Sequence, residues 1–122
     1  MQLKNIKTRV MKMKLSKCGV CRVYSDLAYR YALSLEENEE VESFVCNVEL
    51  AGVFIGKEPK AYTSDFYITY TDGTVGVREC ITRDKICKPK NIKLLDASKE
   101  FWEAKGVKNW GIVINKEEQI SE

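Results

Sequence analysis

Two carboxylates at the ends of one predicted β-hairpin could bind a divalent cation. Residues 62–81 are rich in β-branched and aromatic side chains, and Asp72-Gly73 near their middle is a strong hairpin signal. Asp65 lies near the start of the first strand and Glu79 near the end of the second. Because carboxylate oxygens are ligands that Mg²⁺ prefers, this pair is a candidate magnesium site.

The length of the hairpin loop decides whether the two carboxylates meet. With a two-residue loop, Asp65 and Glu79 point to opposite faces of the sheet, because strand side chains alternate. With a three-residue loop that ends at a left-handed Gly73, Tyr70 pairs with Thr74 instead. Asp65 then lies opposite Glu79, about 5 Å away, where two like charges repel by roughly 3 kcal/mol unless a cation separates them. The hydrophobic pattern is compatible with both registers.

Several motifs follow one another in a specific order from about Val23 to Ile114. They are Tyr62-Thr63-Ser64-Asp65-Phe66, Asp72-Gly73, Arg78-Glu79-Cys80, Lys88-Pro89-Lys90 and Leu94-Leu95-Asp96-Ala97-Ser98-Lys99-Glu100-Phe101-Trp102. Their order and spacing resemble the N-terminal catalytic domain of TnsA-like transposon endonucleases, which belong to the PD-(D/E)-x-K nuclease superfamily. The resemblance implies a restriction-endonuclease-like α/β fold, a mixed sheet flanked by helices. It also implies metal-dependent DNA cleavage at transposon ends, together with a transposase partner.

The resemblance also assigns the site. It implies that Asp65 and Glu79 bind Mg²⁺ or Mn²⁺, with the carbonyl of Cys80 as a further ligand. The cation would activate a water molecule for in-line attack on a phosphate. Two positions depart from the family pattern. Ile81 stands where Glu-x-Lys places a lysine, and Ala28 stands where a glutamate would complete the acidic site, whether by natural loss or by substitution.

Basic residues are concentrated in two parts of the chain, although the net charge is only +2. The run that follows Glu79 consists of Arg83, Lys85, Lys88, Lys90 and Lys93, and it is the predicted DNA-binding surface. Lys85 is the predicted catalytic replacement for the missing lysine, with Lys88 and Arg83 as alternatives, because a point charge on a long stem tolerates relocation. Residues 1–22 hold seven basic residues and no acid, which predicts a basic arm that either contacts phosphates or is solvated.

The remaining elements follow from periodicity, caps and breakers. Helices are predicted over Ser25–Glu37, with Ser25 as N-cap, and from Pro89 or Asn91 to Lys105. Strands are predicted over Phe44–Leu50, Gly52–Ile55 and Trp110–Ile114, with a turn near Ala51-Gly52 and a surface loop at 57–60. The 122 residues therefore predict a basic arm at 1–22, one nuclease-like domain at 23–115 and a polar tail at 116–122.

Composition restricts the compartment and the cysteine chemistry. The apolar runs are too short for a transmembrane span, so a cytoplasmic protein without membrane contact is expected. The five cysteines are expected to be free thiols, with a redox pair or metal site at Cys18 and Cys21 as the alternative. The chain has no histidine to complete such a site.

Three functions are compatible with these patterns. The first is a DNA endonuclease that works with a transposase or another recombination protein. The second is a catalytically inactive nuclease-fold subunit that binds DNA or assembles with partners, since Ala28 and Ile81 replace expected site residues. The third is a small α/β domain unrelated to DNA, in which Asp65 and Glu79 are ordinary acids. A homodimer is compatible with each of them.

Overall fold

The hairpin is part of a four-stranded mixed sheet in the computed structural model, which describes residues 10–50, 54–55, 58–59 and 62–115. The elements are β1 (Met11–Leu15), β2 (Gly19–Val23), α1 (Asp26–Glu37), β3 (Val41–Leu50), β4 (Phe54–Ile55), β5 (Glu58–Pro59), β6 (Tyr62–Tyr70), β7 (Val75–Cys80), α2 (Arg83–Ile86), α3 (Pro89–Ala104) and β8 (Asn109–Val113). The sheet has the order β3-β6-β7-β8; β8 runs parallel to β7, and the other neighbours are antiparallel. The predicted α/β class is confirmed at this level.

The hairpin between β6 and β7 has the three-residue loop. Phe66 pairs with Arg78, and every later pair up to the loop keeps the same register. The backbone N–H of Tyr70 donates to the Thr74 carbonyl at 2.8 Å, and Gly73 has a φ of 90°, which glycine adopts without strain. Of the two registers that the sequence leaves open, this is the one that places residue 65 opposite residue 79.

The two long helices cover different hydrophobic clusters. α1 begins at the predicted N-cap, where the Ser25 hydroxyl accepts a hydrogen bond from the Ala28 N–H at 3.1 Å. Its buried residues are Ala28, Ala32 and Leu35. They form one hydrophobic cluster, called the α1 cluster below, with residues of β2, β3 and β6: Cys21, Val23, Val41, Phe44, Phe66 and Ile68. α3 contributes Trp102 to a second cluster, which also contains Leu50, Val77 and Val107.

The strands β3 and β6 change faces at one position. On β3, Phe44 and Cys46 contact the α1 cluster, whereas Val48 and Leu50, which a regular strand would place on the same face, contact the α3 cluster. Asn47, between the two pairs, has a positive φ of 59°. β6 switches at the same level: Phe66 joins the α1 cluster and Tyr62 joins the α3 cluster. Residues 47 and 65 are skipped in a ladder that keeps one register from Ser43 to Leu50.

Several predicted segments differ in the structure. From Met11 the expected basic arm is instead a β-hairpin of β1 and β2, and Cys21 on it is fully buried. Glu58–Pro59, predicted as loop, pairs with Phe54–Ile55, and the short helix α2 was not predicted. The turn at Ala51-Gly52 and the tail at 116–122 lie outside the described residues. None of the helices in the described part of the chain is long and apolar enough to cross a membrane.

Candidate functional site

The carboxylate of Glu79 is enclosed beneath α3. Its side chain is only 2% exposed, although a lone ionised carboxylate is costly to bury. Oε2 accepts hydrogen bonds from the hydroxyls of Ser64 and Ser98, both at 2.6 Å, and Oε1 accepts one from the backbone N–H of Asp65 at 3.0 Å. Burial raises the pKa of Glu79, and these hydrogen bonds oppose that rise.

Two tryptophans complete this buried network. The indole N–H of Trp102 donates to the Ser64 hydroxyl at 2.9 Å, and that of Trp110 donates to the Ser98 hydroxyl at 3.0 Å. Each serine therefore accepts from an indole and donates to Glu79, so that every polar group in the chain of contacts has a partner. A buried network that is fully satisfied makes a unique core arrangement favourable. The surroundings of Glu79 are therefore those of a residue that stabilises the core.

Asp65 has a different environment, although it lies next to Glu79 in the hairpin. Its carboxylate lies in a cleft of about 220 Å³ at the beginning of α1, lined by Val23, Tyr24, Ser25, Ala28, Asn47, Asp65, Phe66 and Cys80. Oδ2 accepts a hydrogen bond from the backbone N–H of Cys80 at 2.7 Å. Burial raises the pKa of Asp65 to about 7; the bond from Cys80 opposes the rise, and the charge of Glu79 adds to it.

The face switch explains why the two acids face different helices. The register of the Phe66–Arg78 pair, continued by one residue, would place Asp65 opposite Glu79, but Asp65 lies at the point where β6 changes faces. As a result, its N–H donates to the Glu79 side chain, while its own carboxylate turns to Cys80 and the α1 side. A Mg²⁺ ion held by both acids would have to replace the three hydrogen bonds at Glu79. The arrangement does not fit the shared magnesium site expected from the sequence.

Arg78 and Cys80 occupy the face on which a partner for Asp65 would have to lie. Cys80 packs against the α1 cluster and lines the cleft, and the neighbouring odd positions Val77 and Glu79 contact the α3 side. The Arg78 guanidinium donates to the Asn109 carbonyl and side chain, at 3.1 Å and 2.7 Å. Strand alternation therefore places residues 78 and 80, and not 79 and 81, on the face to which the Asp65 carboxylate turns, and this chain has arginine and cysteine there.

Of the other predicted site positions, Ala28 reaches the cleft, whereas Ile81 and Lys85 do not line it. Ala28 does line it, beside Asp65, and is 7% exposed. Ile81 is outside the lining, and its N–H donates to the Val113 carbonyl at 3.0 Å. Lys85 is exposed on α2, and of the described residues that line the cleft none is a lysine. The structure therefore brings Ala28, Asp65 and Cys80 together and leaves Lys85 outside.

The five basic residues that follow Glu79 form an exposed surface on α2 and the first turns of α3. All of them are exposed: Arg83, Lys85, Lys88, Lys90 and Lys93. Lys88 is the N-cap residue of α3, whose first turn carries no acid. Arg83 is held in place because its N–H and Nε donate to Asn115 at 2.8 Å and 3.0 Å. Cations beside a helix N-terminus make a surface that favours phosphate.

Sequence patterns did not reveal the partners of Glu79 or the bend at Asn47. Ser64 and Ser98 are 34 residues apart and read as ordinary strand and helix residues. Asn47 is one of the few residue types that tolerate a left-handed backbone, which is the one local signal available for it. Comparison with protein-family models gives no match, and no curated protein matches the chain.

Proposed function

We propose that the chain is a DNA-binding subunit of nuclease-like fold, similar to TnsA-like proteins, that acts at transposon ends with a transposase partner in the cytoplasm. The observation that carries this proposal is the separation of the two acids. Glu79 is enclosed beneath α3, and Asp65 faces Ala28 and Cys80 in the cleft. Because magnesium sites in nucleases combine carboxylates with substrate phosphates, a cleft with one carboxylate would hold Mg²⁺ weakly. The partner would then make the cut.

The basic surface supports the DNA-binding part of the proposal. Residues 83–93 contain these five cations and one acid, Asp84, so the segment has a net charge of about +4. Thr82, the N-cap residue of α2, and Asn115 also line a groove with α1 residues that include Asp26 and Arg30. The basic surface therefore borders a groove beside α1, where a phosphate backbone would run.

Salt-dependent binding to duplex DNA tests this surface. Replacement of Lys85, Lys88 and Lys90 by glutamine should weaken binding and reduce the slope of log K against log[salt] by roughly 1 for each lysine that contacts phosphate. The measurement is fluorescence anisotropy with one labelled duplex at several salt concentrations.

A matched control uses three exposed lysines that lie elsewhere, Lys99, Lys105 and Lys108. Their replacement by glutamine changes the net charge equally, so it should leave the slope almost unchanged. If both triple variants lost DNA affinity equally, the effect would be one of overall charge and not of the basic surface. A chain that binds no DNA at any salt concentration would be an α/β domain unrelated to DNA.

The cleft also favours a second candidate, a metal-dependent endonuclease that uses Asp65 and Mg²⁺ or Mn²⁺. The specific observation is that Asp65 lines the cleft beside Cys80; burial disfavours the ionised form of this carboxyl group, and a divalent cation bound there would favour it. Asp65, the Cys80 carbonyl and water would be its ligands. Nicking of supercoiled plasmid separates the two candidates, since the native chain should not nick if the partner makes the cut. Metal-dependent nicking that Asp65→Asn abolishes would establish the endonuclease instead.

A variant that restores the family pattern on the face of the Asp65 carboxylate provides a second test of the two candidates. The triple variant Ala28→Glu, Arg78→Glu and Cys80→Lys would place two acids and a lysine beside Asp65. We expect this variant to nick plasmid with Mn²⁺, and we expect the same variant with Asp65→Asn to be inactive. Its circular dichroism spectrum and melting curve show whether the fold is retained. A folded variant without nicking activity would contradict the proposed assignment of positions 78 and 80.

A further inference from the structure

Three cysteines from different elements converge beside α1. Cys18 lies in the turn between β1 and β2, Cys21 lies on β2, and Cys46 lies on β3. Their Sγ atoms all lie within 4.8 Å of one another. Cys21 and Cys46 are joined as a disulfide, contrary to the expectation of five free thiols, and Cys18 is a free thiol. In a reducing compartment all three would be thiols, and clustered cysteines there are more often metal ligands than structural bridges.

We propose that Cys18, Cys21 and Cys46 of the reduced protein bind a single thiophilic cation such as Zn²⁺. A Zn–S distance of about 2.3 Å in a tetrahedral site separates the sulfurs by about 3.8 Å, so the observed convergence requires little movement. In the described part of the chain no fourth cysteine or carboxylate joins the group, and the sequence contains no histidine. Water or another external ligand would complete the four positions around Zn²⁺.

The surrounding backbone holds the three sulfurs in place. Gly19, with a φ of 75°, closes the turn that brings Cys18 close to Cys21, three residues later. The carbonyl of Lys17 accepts a hydrogen bond from the Phe44 N–H at 3.1 Å. On the other side, the Asn47 side chain donates to the carbonyl of Arg22 at 2.7 Å. These two hydrogen bonds fasten the β1–β2 hairpin to β3 on both sides of the cluster, so the site is organised before a cation binds.

A bound cation would fasten the β1–β2 hairpin to the main sheet. The hairpin forms its own two-stranded sheet, and it covers part of the α1 cluster through Cys21 and Val23. A cation that binds the folded chain and not the separated cysteines would stabilise the fold by linkage. None of the three cysteines lines the Asp65 cleft or belongs to the basic surface.

Metal titration of the reduced full-length chain tests the proposal. The chain is reduced with a phosphine, Zn²⁺ is titrated against a chromophoric chelator, and Co²⁺ serves as the spectroscopic probe. We expect one ion per chain, a thiolate-to-cobalt charge-transfer band, and a melting temperature that rises with Zn²⁺. Cys18→Ser should weaken Zn²⁺ binding by at least about 100-fold and remove the rise in melting temperature.

The matched control is Cys87→Ser, because Cys87 is an exposed free thiol outside the cluster. This variant should bind Zn²⁺ like the native chain. Cys18 takes no part in the disulfide, so Cys18→Ser should retain the fold, which a circular dichroism spectrum can verify. Reduced protein that binds no stoichiometric ion, or Cys18→Ser that binds as tightly as the native chain, would overturn the proposal.

Discussion

Replacement of Glu79 by glutamine separates its two possible roles, because they predict opposite changes in stability. Glutamine has the same shape but only one acceptor oxygen. If that oxygen faces the hydroxyls of Ser64 and Ser98, the amide NH₂ faces the Asp65 N–H, and two donors oppose each other. If the amide is turned, its NH₂ faces the two serine hydroxyls, which then have no acceptor for their own hydrogens. The indole N–H groups still donate to the hydroxyl oxygens.

At least one buried donor is therefore left unsatisfied in either orientation, at a cost of about 1–3 kcal/mol. The remaining bonds also lose the strengthening that a charged acceptor provides. We expect Glu79→Gln to lower the free energy of unfolding by about 2–4 kcal/mol. A residue kept as a metal ligand would behave differently: without metal, removing one of two repelling carboxylates would leave stability unchanged or raise it.

Urea unfolding at pH 7 without divalent metal, followed by tryptophan fluorescence, measures the difference. For an m-value of about 2 kcal/mol/M, the midpoint should fall by more than about 1 M. Glu100→Gln is the matched control, because Glu100 is an exposed acid on α3, the helix that carries Ser98, and its midpoint should hardly change. A Glu79→Gln midpoint within about 0.3 M of the native value, or above it, would refute the structural role.

Three further predictions concern the cleft and the bend beside it. Because burial raises the pKa of Asp65 from 3.8 to about 7, the folded chain binds more protons than the unfolded chain between these values. Its stability should therefore fall by up to about 4 kcal/mol from pH 4 to pH 7 in urea titrations, and Asp65→Asn should flatten that profile. Asn47→Ala should lower the free energy of unfolding by about 2 kcal/mol, because alanine strains the left-handed backbone and cannot donate to the Arg22 carbonyl. Asn47→Gly loses only the hydrogen bond and should lower it by about 1 kcal/mol. Equal losses would show that the backbone is not strained. Ala28→Glu should lower stability without metal by more than about 1 kcal/mol, because residue 28 is buried beside Asp65, and Mn²⁺ should recover part of the loss if the new acid reaches the cleft.

At residue 28, burial and helix propensity predict different effects of a glutamate. From the helical pattern alone, a glutamate there is expected to be tolerated within about 1 kcal/mol, because alanine and glutamate are both good helix formers. Helix propensity describes the backbone of α1 and not the packing of its inner side, where Ala28 belongs to the cluster. The helix itself, its N-cap at Ser25 and its end at Glu37 were predicted from the sequence because these depend on local contacts.

The hairpin register depended on information that the sequence held only in part. Asp72-Gly73 predicted the turn, and Gly73 supplied the left-handed residue that a three-residue loop requires. The side on which each acid lies was not predictable by alternation along one strand, since it depends on Asn47, in a different strand. Long-range hydrogen bonds to Ser64 and Ser98 then fix Glu79. Contacts of this kind have no short-range sequence signal.

The N-terminal hairpin was missed for a different reason. Residues 11–15 read Met-Lys-Met-Lys-Leu, an alternation of apolar and charged side chains that is typical of a half-buried strand. The concentration of lysines in the same segment is typical of a solvated arm, so charge and periodicity predict different structures for it. Met11, Met13 and Leu15 pack against the α1 cluster, and the lysines between them are exposed.

The change of faces at Asn47 and Asp65 has a consequence for how the protein opens. β3 and β6 each give side chains to both hydrophobic clusters, so the two clusters share these two strands. If α3 leaves the sheet, it exposes the same two strands that hold α1 in place. In the part of the chain that the structure describes, the two clusters are therefore expected to unfold together, and the amides of β3 and β6 should exchange with solvent as one cooperative unit at the free energy of global unfolding.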